Sequence, residues 1–156
     1  MEEKPDKVWK HALTPGLVII LTKFGEAVNL KHENKIHMQQ DLSLSNTEFA
    51  NYQKLRLFGL IAHYKENGEV QRGYWLLTWK GSRFLKNQLP IHRSVKTLNN
   101  SVIARDVAQV FISDVWEEYR LHQEKFQGLW LGELTEAVEQ KQLSFSGINT
   151  VREVGW

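Results

Sequence analysis

The 156-residue sequence contains no cysteine. Disulfides and thiolate zinc sites are therefore excluded, and a reducing, cytoplasmic environment is expected. Long apolar runs are missing as well, since the most apolar stretch, 17–21, is far shorter than the about 20 residues that cross a bilayer. The first residues do not combine a basic start with an apolar segment, so we expect neither a secretory signal nor a membrane partner.

The sequence also lacks the motifs that mark common enzyme classes. None of its six histidines belongs to an HExxH pair or another recognised metal spacing, and no GxSxG, P-loop or GxGxxG sequence occurs. The acidic residues between Asp114 and Glu124 could form a nuclease metal site, but their spacing fits a solvated helix face better. We therefore expect no catalytic residue, no metal and no cofactor.

The net charge of +2 conceals an uneven distribution. Residues 54–96 contain nine Lys or Arg against two Asp or Glu, which gives this segment a net charge of +7. The flanking segments are acidic, with six basic against seven acidic residues in 1–53 and five against nine in 97–156. A local positive field of this kind attracts polyanions, although chance clustering on a solvated surface would give the same pattern.

Helix signals follow a short lead-in, 1–13. Thr14 can cap the free amides of a helix and Pro15 suits its first position. Apolar residues then recur at helical spacing from Leu17 to Val28, which predicts an amphipathic helix. The segment 35–37, Lys-Ile-His, is then expected to form a minimal strand.

A second helical region is predicted directly afterwards. Met38 to Leu42 can form one short helix, followed by a turn. Ser45 and Glu48 have the spacing of a capping box, in which each side chain accepts a hydrogen bond from the other residue's amide. The helix that this box opens is expected to run to Phe58 and to end at Gly59.

A β-hairpin is predicted next. Leu60 to Tyr64 and Val70 to Thr78 are rich in aromatic and β-branched residues, and the turn at 65–68 contains Asn-Gly, which tolerates the positive φ angles of tight hairpins. Thr78 can cap a further short helix from Trp79 to Asn87.

The remaining third of the chain is expected to add a small hairpin and one or two helices to this core. The segments are two strands around Asn99-Asn100 (94–98 and 102–104), a strand or helix start at 108–112, helices at 114–126 and 131–140, and an irregular end at 143–156.

Two short motifs carry a family resemblance. Leu55-Arg56-Leu57-Phe58-Gly59-Leu60-Ile61 resembles the end of the recognition helix in MarR- and PadR-type regulators, and Leu77-Thr78-Trp79-Lys80-Gly81 resembles the segment that closes their wing. The resemblance covers about Thr14 to Gln88 and implies a winged helix-turn-helix that binds DNA. The chain is also similar to an uncharacterised group of small phage and prokaryotic proteins, a likeness that implies no chemistry.

A helical wheel identifies the residues that would read DNA. Thr47, Asn51 and Lys54 share one face of the helix after Ser45, with Ala50 between them, while Phe49, Tyr52 and Leu55 share the other. Asn can read adenine, Thr can contact a phosphate or a thymine methyl, and Lys can reach guanine or phosphate. The alternative is an ordinary solvent-facing helix side.

Four more basic residues are candidates for contacts with the DNA backbone. Lys65 lies at the expected hairpin tip and Arg72 on the returning strand, whereas Lys80 and Arg83 lie on the following helix. The alternative for the last two is that they only keep that helix soluble.

The sequence thus predicts an α+β protein with a lead-in (1–13), a winged helix-turn-helix domain (14–88) and a C-terminal extension (89–156) of a β-hairpin and helices. We expect non-catalytic binding of double-stranded DNA, in a small regulator of transcription or of a mobile element, and a homodimer formed through 105–140. A winged helix used as a protein–protein adaptor is the first alternative, and a metal-dependent nuclease is the second.

Overall fold

A single long helix, α1 (Pro15–Lys31), lies at the centre of the computed structural model, which describes residues 7–126, Glu139 and the strand at 152–154. As predicted, Thr14 caps this helix, with its hydroxyl accepting from the amide of Leu17 at 3.3 Å, and Pro15 occupies the first turn. The helix ends at His32, whose φ of 52° is left-handed. Nine of its residues are buried, so α1 supplies a large part of the core.

A three-stranded antiparallel sheet packs beside α1. It consists of β2 (Ile36–His37), β3 (Ile61–Glu66) and β4 (Glu69–Leu77), in the order β2-β4-β3. The predicted hairpin is confirmed, since Asn67 and Gly68 have φ angles of 53° and 80° between β3 and β4.

The strand β4 is fixed to the end of α1 by a side chain. Asn34, which is buried, donates its amide to the carbonyl of Leu77 at 2.8 Å and accepts from the amide of Leu77 at 2.7 Å. The Asn34 carboxamide thus completes both backbone hydrogen bonds of Leu77, as a neighbouring strand would.

The short helix predicted at Met38 to Leu42 is wrong, because this segment is a turn. The carboxylate of Asp41 accepts from the backbone amide of His37 at 2.7 Å, and His37 Nδ1 accepts from the amides of Gln39 and Gln40 at 3.2 Å. These side-chain acceptors satisfy three backbone amides locally and hold the segment as a turn.

The long helix predicted from Ser45 to Phe58 is also only partly correct. It begins as expected with α2 (Asn46–Asn51), then breaks at Tyr52 and Gln53 and continues as the single turn α3 (Lys54–Leu57). Tyr52 is buried and meets the ring of Trp75 edge-on, with 5.6 Å between ring centroids. Across the break the backbone changes to tighter three-residue bonds, including Leu55 amide to Tyr52 carbonyl at 3.0 Å.

Helix α4 (Trp79–Leu85) follows the sheet and begins at the predicted cap. The Thr78 hydroxyl accepts from the amide of Gly81 at 2.9 Å and donates to the carbonyl of Gly59 at 2.6 Å. The helix stops two residues before the predicted end, since Asn87 adopts a left-handed φ of 59°. Glu139 reaches this helix and accepts from the amide of Trp79.

The lead-in and the C-terminal extension share a second sheet. Its strands are β1 (Val8–Ala12), β6 (Ser94–Leu98), β7 (Ser101–Asp106) and β9 (Arg152–Val154), in the order β1-β6-β7-β9. The predicted hairpin around Asn99-Asn100 joins β6 and β7, with φ angles of 50° and 64°. The lead-in is therefore an edge strand, and the irregular structure expected for 143–156 is wrong at 152–154, where β9 runs parallel to β7.

Short elements complete the extension. Strands β5 (Ile91–His92) and β8 (Gln109–Val110) form a two-stranded pair, and α5 (Ile112–Val115) starts within the segment where the sequence allows either a strand or a helix start. The helix predicted for 114–126 is wrong: Trp116 is extended, and two 3-10 turns, Glu117–Leu121 and Gln123–Phe126, follow it.

One continuous core unites these parts and establishes the α+β class. Buried apolar residues extend from Leu13 through α1 and the three-stranded sheet to Tyr119 and Phe126. The Tyr119 hydroxyl donates to the carbonyl of Leu85, which ties the last described turns to α4. In the described part of the chain, no helix has the length and apolar character needed to cross a membrane. The helix predicted at 131–140 falls outside the described residues apart from Glu139, which is helical.

Candidate nucleic-acid interface

Helix α2 is capped by side-chain hydrogen bonds at its N-terminus and is exposed along its length. The predicted capping box is present: the Ser45 hydroxyl accepts from the amide of Glu48 at 3.1 Å, and the Glu48 carboxylate accepts from the amide of Ser45 at 3.0 Å. Glu48 also accepts from Lys23 of α1 at 2.9 Å. Burial by itself would raise the pKa of Glu48, but these donors outweigh it and hold the pKa below its ordinary value.

No residue of α2 is buried, so this helix presents its surface to the solvent. The structure brings together Thr47, Asn51 and Lys54, the predicted reading residues, because all three line one pocket despite the break in the helix. Thr47 and Lys54 are exposed and Asn51 is half-buried. We call these three residues the polar face.

Asn51 is the most constrained member of the polar face. Its side-chain nitrogen donates to the carbonyl of Thr47 at 2.7 Å, one turn earlier in the same helix. The carboxamide keeps one further N–H and its oxygen for an external partner. That remainder is the donor and acceptor pair that bidentate contact with adenine requires.

The β3–β4 hairpin carries two of the predicted backbone contacts. Arg72, on β4, is exposed and has no hydrogen-bond or ion-pair partner among the described residues, whereas Lys65, on β3, is half-buried. The acidic residue Glu66 beside the turn is 3.6 Å from the ammonium of Lys35. Its charge is therefore partly compensated, which reduces the repulsion that it would exert on a phosphate.

Lys80 and Arg83 belong to α4 and do not line the pocket with the polar face. Arg83 donates to the side chain of Gln88 at 2.9 Å, and its guanidinium lies 5.6 Å from the ring centre of Trp79. Lys80 is half-buried, with its side chain next to Gly59. Both residues thus contact neighbouring parts of the fold, and their contact with DNA stays a prediction.

One basic residue near this surface, Arg56, was not predicted. Arg56 is exposed on α3, and together with Lys65 its positive charge adds to burial in lowering the pKa of His63 on β3. Arg56 therefore contributes to the positive field between α3 and the hairpin. The sequence signal was available, because Arg56 belongs to the basic central segment.

The sequence did not indicate that strand β1 lies next to α2. Its residues Lys10 and His11 face the polar face across the pocket, and His11 Nε2 lies 3.1 Å from the hydroxyl of Thr97. Burial, followed by the charge of Lys54, lowers the pKa of His11. Val8 and Trp9 are the local strand signal, but nothing in the sequence indicates which element the strand approaches.

The described residues do not supply the arrangement that the nuclease alternative requires. No three His, Asp or Glu side chains among them converge as ligands of a metal ion. The adaptor alternative requires an exposed apolar patch in place of the polar face. On α2 the only large apolar side chain that is exposed is Phe49, with 40% of its surface accessible.

In comparisons with known proteins, the chain matches no protein-family model, no curated protein and no solved structure.

Proposed function

We propose that the protein binds double-stranded DNA without catalysis, through a winged helix-turn-helix formed by α1, α2–α3 and the β3–β4 hairpin. The observation that carries the proposal is the pairing order β2-β4-β3 together with α2, which lies between β2 and β3 in the chain and has no buried residue. In this order the minimal strand β2 pairs with the returning strand of the hairpin, so the segments before and after α2–α3 meet in one sheet.

The exposed helix supplies the chemistry for base contacts. An α-helix fits into the major groove, which is about 12 Å wide. Thr47 and Lys54 are accessible at the polar face, and Ala50 beside them is small and exposed, which permits close approach. These residues would contact base edges and the nearest phosphates, with Asn51 as the candidate for adenine.

The hairpin and α3 supply the positive charge for contacts with the DNA backbone. Arg72 and Arg56 are both exposed, and Lys65 lies on the strand that pairs with β4. Arginine is well suited to phosphate because its planar guanidinium donates two parallel hydrogen bonds. The helix-and-hairpin unit would therefore be held on the duplex from two sides.

A transcriptional or mobile-element regulator that recognises two half-sites would act as a homodimer, because two-fold symmetry matches a palindromic site. Because it follows from the proposed DNA binding, we also propose a homodimer, with the segment 105–140 as its contact surface. We further propose that the protein is located in the cytoplasm. Light scattering that shows a strict monomer at high protein concentration would contradict the dimer.

The test is fluorescence anisotropy with labelled random and genomic duplexes across a salt series. The double variant Lys54→Gln/Arg72→Gln removes one cation from the polar face and one from the hairpin. If each cation binds a phosphate, the slope of log affinity against log salt concentration becomes shallower by about 0.9 for each cation removed. At low salt we expect the affinity to fall by about tenfold or more.

The matched control is Lys7→Gln/Lys31→Gln, which removes the same amount of charge from two exposed positions outside α2, α3, the hairpin and the proposed dimer surface. It should bind DNA with the wild-type salt slope. The proposal fails if no duplex binds at low salt, or if both double variants weaken binding equally. If no duplex binds, the adaptor alternative is tested next. Phe49 would then be the first residue to replace, and Phe49→Ala would be tested for loss of binding to a protein partner.

A further inference from the structure

Strand β1 has one edge that no described strand covers. It is the first strand in the order β1-β6-β7-β9, so among the described residues only β6 pairs with it. The amide of Leu13 donates to the carbonyl of Arg93 at 2.9 Å, which fixes the alternation of hydrogen bonds along this pair of strands. Because this alternation turns the backbone groups of every second residue outwards, those of Val8, Lys10 and Ala12 point away from β6.

A cleft of about 410 Å³ runs along this edge. It is lined by three consecutive residues of β1, Lys10, His11 and Ala12, whose side chains alternate between the two faces of the sheet. A cavity that touches all three lies beside the strand and not over one face. The polar face of α2–α3 forms the opposite wall. The cleft is thus the space that an added strand, about 4.8 Å from β1, would occupy.

The walls of the cleft are positively charged. Lys10 and Lys54 are both exposed and line it from opposite sides. Glu48 is the one acidic residue among the described residues that line the cleft, and its carboxylate binds Lys23 at 2.9 Å. A segment that enters the cleft therefore meets a positive field, which favours acidic side chains.

The sheet beside the cleft carries a further cation. Lys10 of β1 is the direct partner of Lys96 of β6, and like charges in this position repel each other. The nearby carboxylate of Asp106 is bound to Arg93 at 2.9 Å. An acidic side chain next to Lys10 on the uncovered side would thus reduce the repulsion between the two lysines.

A second copy of β1 fits this edge poorly. In the antiparallel register that pairs all five residues, the two copies of Lys10 would lie directly opposite each other. An acidic strand in the same place would instead bring opposite charges together. Charge complementarity therefore favours a different chain as the occupant.

We propose that β1 binds an extended acidic segment of a partner protein, which adds to the sheet as a further strand in the cleft between β1 and α2. Pairing of the two backbones supplies affinity, and side chains at alternate positions supply specificity. Acidic residues would lie on the face of Lys10, and apolar residues on the face of Trp9, which is 55% exposed. The proposal does not rest on the proposed binding of DNA.

The probe is a fluorescein-labelled peptide with the core Glu-Val-Glu-Val-Glu, which has the required alternation. Fluorescence anisotropy should show saturable binding to the wild-type protein, with the matched Lys-Val-Lys-Val-Lys peptide bound about tenfold more weakly. A third peptide keeps the glutamates but carries N-methyl groups on their backbone nitrogens, which face β1 in an antiparallel pairing. It keeps the charge and loses these donors, so it should also bind about tenfold more weakly.

Ala12→Pro tests the backbone of β1. The N–H of Ala12 points away from β6, so proline should preserve the pairing with β6 and obstruct an added strand. We expect binding of the glutamate peptide to weaken about tenfold or more. The control Ala12→Ser keeps the N–H and should bind like the wild type, and circular dichroism compares the folds of both variants.

Lys10→Glu tests the charge without changing the backbone. It should bind the glutamate peptide about tenfold more weakly than the wild type does, and the lysine peptide more tightly. This exchange of preference requires contact between Lys10 and the peptide. A variant that merely loses its fold would bind both peptides more weakly.

Four results would overturn the proposal. The wild type could bind the two charged peptides equally or not at all, or Lys10→Glu could leave the preference unchanged. Equal binding of the N-methylated and unmodified glutamate peptides would mean that charge alone holds them. A wild-type dimer that Ala12→Pro dissociates in light scattering would mean that a second copy of β1, and not an acidic partner, occupies the edge.

Discussion

Replacing Asn34 tests the most specific polar contact in the structure. The side chain is 2% exposed and completes both backbone hydrogen bonds of Leu77, at 2.8 and 2.7 Å. In Asn34→Ala these two backbone groups remain buried and lose their partner. The substitution also removes the contact between the segment after α1 and the last residue of β4. This contact helps to position the whole hairpin.

The expected cost follows from these two groups. Each buried backbone group that is left without a partner costs about 1 to 3 kcal/mol, so Asn34→Ala should lower the free energy of unfolding by about 2 to 6 kcal/mol. That is a large part of the about 5 to 15 kcal/mol typical of a domain. Urea unfolding followed by tryptophan fluorescence and circular dichroism measures the difference, with the slope against urea checked for constancy.

Asn29→Ala is a matched control on the preceding helix. The side-chain oxygen of Asn29 is buried without a hydrogen-bond partner among the described residues, so its removal takes away no hydrogen bond from that atom, and alanine favours a helix by a few tenths of a kcal/mol. The control should remain within about 0.5 kcal/mol of the wild type. If Asn34→Ala costs less than about 1 kcal/mol, or no more than Asn29→Ala, water replaces the carboxamide and the reasoning is refuted.

Three further changes test packing, pH dependence and a buried hydroxyl. Gly81→Ala would place its Cβ 2.3 Å from the backbone oxygen of Leu60 and should lower the free energy of unfolding in urea by about 1 to 3 kcal/mol. The control Gly16→Ala should leave this free energy unchanged, and equal effects of the two variants would contradict the prediction. Burial and two nearby cations lower the pKa of His63 from 6.5, so the folded protein resists protonation of this residue. The free energy of unfolding should therefore be at its full value above pH 6.5 and should decline as the pH falls below 6.5. His63→Gln should flatten that decline. Tyr119→Phe, which leaves a buried carbonyl unpaired, should lower the free energy of unfolding by about 1 to 3 kcal/mol, and a smaller loss would mean that water takes its place.

Local hydrogen-bond signals in the sequence were sufficient to predict how elements begin and turn. The caps at Thr14, Ser45 and Thr78 and the Asn-Gly turn of the hairpin all form as expected. Each depends on side chains within three residues of the backbone groups that they satisfy. Such signals act whatever the rest of the fold does, which is why they can be read from the sequence.

Element continuity was predicted less well, because distant contacts decide it. The stripe of Val115, Tyr119, His122 and Phe126 suggested one helix, and Tyr119 and Phe126 are indeed fully buried. The chain reaches that burial through two separate 3-10 turns after an extended Trp116, and each turn buries one of the two rings. Helical periodicity therefore identified the buried residues correctly and their secondary structure incorrectly.

The candidate site shows the same division between local and distant information. A helical wheel was sufficient to group Thr47, Asn51 and Lys54, because their spacing puts them on one side of any helix-like path. The wall opposite them comes from β1, which is positioned by antiparallel pairing with β6 more than eighty residues away, as the Trp9–Thr97 partners illustrate. The sequence alone indicates a simple exposed helix face. In the structure this face is one side of a concave site.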